Sequence, residues 1–307
     1  MNEIEAIASM HLGKAGDGTV VKPYVTPDSV DAGLLVGVPR ILNRTAYEID
    51  EKDLPFKGYD MWNCYEFSTL SDNGFPVSGL MRILYPSDSV NIVESKSLKL
   101  YLNSFNMMKN GSNLDDVIMN VEMRITHDLA GCLGTDRVDV CLLMEDAIVR
   151  APVQGDFISV ENYVDPFNMT FDQYNESPDT LNVIPSSGYP QLWRSSVLRS
   201  NCRVTNQPDW GDVYVAIKGP KTVTPESLLQ YIVSMRKENH FHEEICECIY
   251  KRLWDLLEPE ELFVTCLYTR RGGIDINPAR GSDNQVLYKY AAGLTDPYSV
   301  NIKTLRQ

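Results

Sequence analysis

The stretch Ser200-Asn201-Cys202-Arg203-Val204-Thr205-Asn206-Gln207-Pro208-Asp209-Trp210-Gly211 sets a cysteine ahead of an aspartate with a Gln-Pro turn between them. A continuous helix through it is disfavoured: Pro208 lacks an amide hydrogen, and the β-branched Val204 and Thr205 lose side-chain freedom against a preceding turn. A strand or loop that bends at Pro208 is expected instead, returning the Asp209 carboxyl toward Cys202. A thiol beside a proton-transferring carboxyl suits covalent attack on a weak electrophile. A buried structural cysteine is the commoner fate of this residue type, and the motif alone leaves both readings open.

Outward from this stretch, Val197 to Thr205 and Asp212 to Lys218 read as strands. Thr224-Pro225-Glu226-Ser227 has the form of a helix start, with Thr224 as N-cap and Pro225 in the first position. A helical pattern then runs from Leu228 to Leu257, and Leu262 to Thr269 closes the half as a strand. The first half repeats that order. Asp60 to Leu70 and Val77 to Tyr85 are strands around Ser71-Asp72-Asn73-Gly74, Asn113 opens a helix, and Arg137 to Met144 is a strand. Between the halves, residues 151–190 carry prolines at 152, 166, 178, 185 and 190 and read as a long, mostly irregular connection.

The 307 residues include 28 Lys and Arg against 42 Asp and Glu, a net charge of −14 that argues against a nucleic-acid or anionic-membrane partner. No apolar run is long enough to span a bilayer, and the acidic start Met1-Asn2-Glu3-Ile4-Glu5 is unlike a secretory leader. Seven scattered cysteines, an odd number, fit free thiols in a reducing cytoplasm. Gly13, Gly16 and Gly18 follow no strand, so a Rossmann site is not expected.

Three further clusters carry candidate chemistry. Within Asn239-His240-Phe241-His242-Glu243-Glu244-Ile245-Cys246-Glu247-Cys248, the His242-Glu243-x-x-Cys246 spacing approaches a zinc motif, but four histidines in the whole chain supply no evident third ligand. A solvated acidic helix face, or recognition of a polar heterocycle by Glu243 with His242 moving a proton, are the other readings. Glu94-Ser95-Lys96-Ser97-Leu98-Lys99 places two lysines beside two serines, either as a phosphate grip or as an amphipathic segment. Tyr268-Thr269-Arg270-Arg271-Gly272-Gly273 sets paired arginines before paired glycines, either a phosphate fork or a basic turn.

Taken together, Val38-Pro39-Arg40 with Asn43-Arg44, Glu94 to Asn106, Leu198 to Gly211, Phe241-His242-Glu243 and Tyr268 to Pro278 resemble the NADPH-dependent 7-cyano-7-deazaguanine reductases of queuosine biosynthesis, in their long bimodular class. The resemblance implies an α+β fold of tandem tunnelling-fold (T-fold) modules: antiparallel sheets with helices packed on one face. Residues 1–150 would form the N-terminal module, 151–190 a connecting segment, 191–280 the C-terminal module and 281–307 an extension without a counterpart. It also implies a cytoplasmic homodimer acting on a small molecule, with no nucleic acid, no membrane and no metal.

Carried over residue by residue, the resemblance makes Cys202 the nucleophile, Asp209 the general acid/base and His242 its assistant. Glu243 would anchor the deazaguanine ring, with Glu94 and His242 beside it. Ser95, Lys96 and Ser97 belong to the motif associated with NADPH, and Arg270 and Arg271 are phosphate ligands. The implied chemistry is a covalent Cys202 thioimide, reduced by two successive hydrides to the aminomethyl product. Arg203 stands where an apolar residue or proline is expected, and would favour the thiolate only if its side chain turns inward. Ile245 replaces an expected cysteine, which puts a protective disulfide from Cys202 to Cys246 or Cys248 in doubt. Three alternatives share the fold: an amidinotransferase resolving the thioimide with ammonia, a non-catalytic binder of purine or pterin rings, and a metal-dependent cyclohydrolase, for which the chain offers no evident ligand set. The Glu94–Ser97 motif and the charge of −14 speak against the first; the presence of both Cys202 and Asp209 speaks against the second.

Overall fold

The computed structural model describes residue 27 and residues 29–307, so Gly13, Gly16, Gly18 and the N-terminal pentapeptide lie outside the described residues. Nine strands make the main sheet: β1 (Lys57–Leu70), β2 (Pro76–Pro86), β3 (Asp139–Leu143), β4 (Ile158–Ser159), β5 (Gln191–Cys202), β6 (Pro208–Lys218), β7 (Asn239–His240), β8 (Glu261–Tyr268) and β9 (Ile274–Gly281). Their order is β7-β5-β6-β8-β9-β1-β2-β3, with β4 also on β5. The long strands pair antiparallel, and only β4 and β7 lie parallel to their neighbour β5. The two halves therefore share one sheet, and the seam is β9 on β1, in register from Ile274 opposite Cys64 to Gly281 opposite Lys57.

Alternation along the strands sorts side chains between two layers. Trp62, Ile83, Val264 and Cys266 face the layer of α1 (Ser95–Asn103), α2 (Leu114–Leu133), α3 (Pro225–Ser234) and α4 (His242–Leu257). Met61, Leu84, Phe263 and Ala279 face the other way, against α5 (Asn284–Ala291). Residues 281–307 thus pack on the second face, and Ser299–Asn301 adds a parallel pair to Ile148–Arg150. Covered on both faces, β9 is buried along its whole length.

Local chemistry sets the helix ends. The Asn113 side chain accepts from the Asp116 amide at 3.0 Å, and Gly134, at φ +67°, closes α2 in the left-handed region. Thr224 caps α3 with Pro225 following, as its sequence predicts. The pattern from Leu228 to Leu257 is not one helix but two. Apolar spacing runs through Met235 to Ile245, yet the backbone of 239–240 leaves the helical path to pair with Asn201 and Cys202 on the edge of β5. The connection 151–190 holds only short pieces, among them Val160–Tyr163 and Val183–Pro185.

Candidate active site

Cys202 ends β5, and the chain turns back before Pro208 opens β6. The Cys202 amide donates to the Gln207 carbonyl at 2.8 Å, and the Asn206 amide donates to the Cys202 carbonyl at 2.9 Å. Asn206 takes φ +55°, a conformation that asparagine tolerates better than most residues. The turn therefore spans 203–207, slightly ahead of the expected bend at Pro208, and Asp209 returns on β6 to line the same cavity as Cys202. The break between α3 and α4 serves the site as well: β7 lies against Cys202, and α4 begins at the cavity wall with His242 and Glu243.

His242 Nε2 stands 3.4 Å from Asp209 Oδ2. Its ring stacks on Tyr268 at 3.8 Å with 6° between planes, which fixes the imidazole orientation. From the other side Arg271 Nη1 pairs with Asp209 Oδ1, and Arg271 Nη2 donates to Gln207 Oε1 at 2.7 Å. Burial pushes the Asp209 carboxyl up, but His242 and Arg271 together outweigh it and hold the group below the ordinary carboxylate value.

Glu243 has the opposite balance. It is 2% exposed. Burial, reinforced by the Asp60 charge, pushes its carboxyl up to about 8. Behind it lies a buried ionic cluster across the seam. Arg40 pairs with Asp60, Arg280 reaches Asp60 at 2.8 Å and Glu247 at 2.9 Å, and Arg44 reaches Glu247 at 2.7 Å. These three arginines face two carboxylates, so an ionised Glu243 would balance the charge. Glu243 Oε1 and His242 Nδ1 have no protein partner, nor has Trp62 Nε1, another buried polar atom of a cavity residue. Unpaired buried polar atoms are costly, and a ligand with complementary groups repays them.

The cavity holds about 180 Å³ and draws on both halves: Trp62, Val93, Glu94, Ser95, Lys96 and Lys99 from the first, Cys202, Asp209, His240 to Glu243, Arg271, Gly272, Ile274 and Ile276 from the second. Apolar walls around a few polar groups suit a planar heterocycle. Of the residues singled out in the sequence, Ser97 and Arg270 stand apart. Ser97 is fully buried, its hydroxyl donating to the Glu94 carbonyl at 2.7 Å and accepting from the Val36 amide at 3.1 Å. Arg270 is exposed and lies over the Tyr65 ring. Glu94 reaches the cavity and also caps α1, accepting from the Lys96 and Ser97 amides at 3.1 and 2.8 Å.

That cap bears on any nucleotide cofactor, because a carboxylate already occupies the amides where a phosphate would sit. The mouth offers side-chain cations instead: exposed Lys96, half-buried Arg271, and Lys99, which donates to Glu66 at 2.8 Å and to the Gly272 carbonyl at 2.6 Å. Lys99 and Arg271 are already paired, with Glu66 and Asp209, so the mouth gathers cations without an excess of positive charge.

Arg203 does not turn onto the thiol. It donates to Glu244 at 2.8 Å and to Asn43 at 2.9 Å, and Glu244 in turn accepts from the Phe241 amide. Its charge is spent on fixing the Phe241–Glu243 segment. All seven cysteines are free. Cys246 and Cys248 sit in the core, Cys246 against the carbonyls of Val264 and Pro278 and Cys248 beside Tyr231, so neither is placed to bridge to Cys202. The zinc-like spacing dissolves for the same reason: His242 faces the cavity and Cys246 the core. Trp62, His240, Phe241 and Ile276 also line the cavity, and none was given a role from the sequence. Only Trp62 lay in a stretch read as a strand, and nothing in its alternation told a cavity wall from core; His240 and Phe241 lay in a stretch read as helix.

Fold and site define a T-fold protein whose thiol, carboxylate and imidazole meet beside a pocket shaped for a ring. A family model described as nitrile reductase, 7-cyano-7-deazaguanine-reductase N-term, matches residues 26–142, and one described as QueF-like protein matches 208–286. Among solved structures, the archaeosine synthase QueF-Like in its apo form matches at 18% identity over 32% of this chain and 97% of that one, with a TM-score of 0.28. With the two models in tandem along it, the chain belongs to the QueF-type nitrile reductase family in its long form.

Proposed function

We propose that the protein reduces the nitrile of 7-cyano-7-deazaguanine to the aminomethyl group, with NADPH as reductant and a Cys202 thioimide as the covalent intermediate. The observation that carries this reading is the convergence of Cys202, Asp209, His242 and the unpartnered Glu243 on one cavity. Ionised Glu243 accepts the two N–H groups on the pyrimidine edge of the ring, and the arginine cluster behind it offsets its charge. That contact holds the ring in the cavity that Cys202 also lines.

There the sulfur–carbon bond forms as one π bond of the nitrile breaks. Asp209, held ionised, takes the thiol proton and passes it to the nitrile nitrogen, leaving a neutral thioimide. NADPH held at the cation-lined mouth supplies a hydride in each of two rounds. Asp209 and His242 deliver the protons the nitrogen needs, and the sulfur departs from carbon to regenerate Cys202. The apolar walls exclude water, which would hydrolyse the carbon–nitrogen double bond.

The reading carries with it a cytoplasmic homodimer; β3, paired only with β2 among the described residues, is an edge at which a second copy would add. Absorbance at 340 nm with purified protein, NADPH and 7-cyano-7-deazaguanine tests the function. Two NADPH consumed per nitrile is the expected result. A mass adduct on Cys202 without consumption would show that hydride is not what resolves the thioimide.

A further inference from the structure

Asp209 is asked to do two opposed things. Taking the Cys202 proton requires an anion; protonating the substrate nitrogen requires an acid. As it stands it is well made for the first task only. Burial of Asp209 opposes the anion, but Arg271 and His242 both favour it and together outweigh that burial. His242 from α4, Tyr268 from β8 and Arg271 from the β8–β9 connection lie against it, and Cys202, Glu94, Lys96, Lys99, His240 and Glu243 line the same cavity.

These partners differ in how firmly they are held. His242 is clamped by its stack on buried Tyr268. Arg271 has a side chain 36% exposed, against 3% for Asp209, and it stands at the cavity mouth. Its backbone is fixed, because Arg271 and Ile274 exchange amide hydrogen bonds and Lys99 Nζ holds the Gly272 carbonyl at 2.6 Å. Only its guanidinium is free to change partner. A phosphate group arriving beside Lys96 is the stronger ligand for that fork, since it carries more charge and accepts bidentately.

We propose that Arg271 is an exchangeable counter-ion: it holds Asp209 as the anion while the mouth is empty, and transfers to a phosphate of the bound nucleotide, freeing Asp209 to carry a proton when the hydride donor is seated. Thioimide formation, in which Asp209 starts as the anion and relays the Cys202 proton to nitrogen, is thereby matched to the clamped state, and the further nitrogen protonations that accompany the two hydrides to the released one. Arg271 acts through Asp209 and is a positioning residue in this scheme. The inference rests on the thioimide reading above.

The test uses the full-length protein and follows the Cys202 adduct by intact mass, which needs no turnover. The rate of adduct formation from 7-cyano-7-deazaguanine is measured against pH, with and without saturating NADP⁺, in wild type, Arg271→Gln and Arg271→Lys. The acid limb of the profile reports protonation of Asp209. In wild type, NADP⁺ is expected to move that limb up by about one pH unit, the size of effect an arginine has on a neighbouring carboxylate. In Arg271→Gln the limb sits at the higher pH without nucleotide and no longer responds to it; Arg271→Lys, which keeps the charge, stays with wild type. A wild-type limb that NADP⁺ leaves in place, or an Arg271→Gln limb that coincides with wild type, overturns the counter-ion role while the persisting adduct leaves the thioimide reading standing. No adduct in wild type at any pH removes the thioimide reading and the counter-ion role with it.

Discussion

The hairpin Ser71–Phe75 joins β1 to β2, and the hairpin of residues 203–207 joins β5 to β6, the same place in each half. Their side chains are used in opposite ways. Ser71 Oγ donates to Asn73 Oδ1 at 2.5 Å and accepts from the Phe75 amide at 3.1 Å, so the first turn satisfies itself. The groove beside it, walled by Ser71, Asn73, Ser112 and Asn113, contains no thiol, imidazole or carboxylate. In the second turn Gln207 and Asp209 reach across to Arg271, and α4, the second helix of that half, starts with His242, where α2 is preceded by the self-sufficient cap Asn113. The Ser71 and Asn73 side chains of one turn close on each other, while Gln207 and Asp209 beside the other are completed by distant elements. Locally consistent chemistry builds the frame, and local inconsistency marks the site.

The largest effect expected from this contrast lies at the two turns. Cys202→Ala should abolish the substrate adduct and lower kcat/KM by roughly 10⁴-fold or more. Ser71→Ala, in the corresponding turn, should change it by no more than about twofold, since the surface groove there has no reacting group. Steady-state kinetics on both variants decides, and a large loss in Ser71→Ala would mean that the first-half groove is a working site.

Stability of the seam comes next. Arg280→Met removes a cation shared by Asp60 and Glu247 and breaks their buried network across the seam, and should cost about 3–5 kcal/mol in urea denaturation. Because the pair joins β9 to β1, both halves should lose stability in one transition. Two separated transitions would show that the halves fold independently despite sharing a sheet.

The helix starts Glu94 and Thr224 also occupy corresponding places, ahead of α1 and α3. Thr224→Ala should cost about 1 kcal/mol and leave KM unchanged. Glu94→Ala should lose a similar amount and also raise KM, because that cap is a cavity wall too.

Much of this was legible in the sequence, for reasons specific to each element. Asn113 and Thr224-Pro225 announced their helices because capping is a contact within one turn of chain. The Cys202–Asp209 hairpin was legible because Pro208 and two β-branched residues exclude a helix. The break between α3 and α4 was hidden: its cause is the edge of β5, some forty residues earlier, while the apolar spacing runs on unbroken. Pairing of β9 with β1 across the whole chain, and of Arg203 with Glu244, are tertiary choices that no local pattern encodes. Residues 281–307 contain no motif, yet Asn284–Ala291 covers the second sheet face. Its alternation of buried Val286, Leu287, Tyr290 and Ala291 is an ordinary amphipathic stripe with an unannounced partner.

The smallest effect, and the finest comparison, concerns two carboxylates in one cavity that titrate in opposite directions. Asp209 lies below the ordinary carboxylate value, so its contribution to stability is present above that value and is lost as pH falls through its lowered one. Glu243, raised to about 8, contributes stability in its protonated form, present at acid pH and lost as pH rises through about 8. Thermal midpoints measured from pH 2 to 9 should therefore respond to the two amide variants in separate windows: Asp209→Asn flattens the fall below the ordinary carboxylate value, Glu243→Gln the fall between that value and about 8. Ring binding offers a second reading of the same group. If N–H donors of the ring require the anion, binding near pH 7 must expel the Glu243 proton, and calorimetry in buffers of different ionisation enthalpy should register up to one proton released per site. Glu243→Gln should bind more weakly and release none. Equal proton release by the variant would place the titrating group elsewhere in the cavity, and with it the ring anchor.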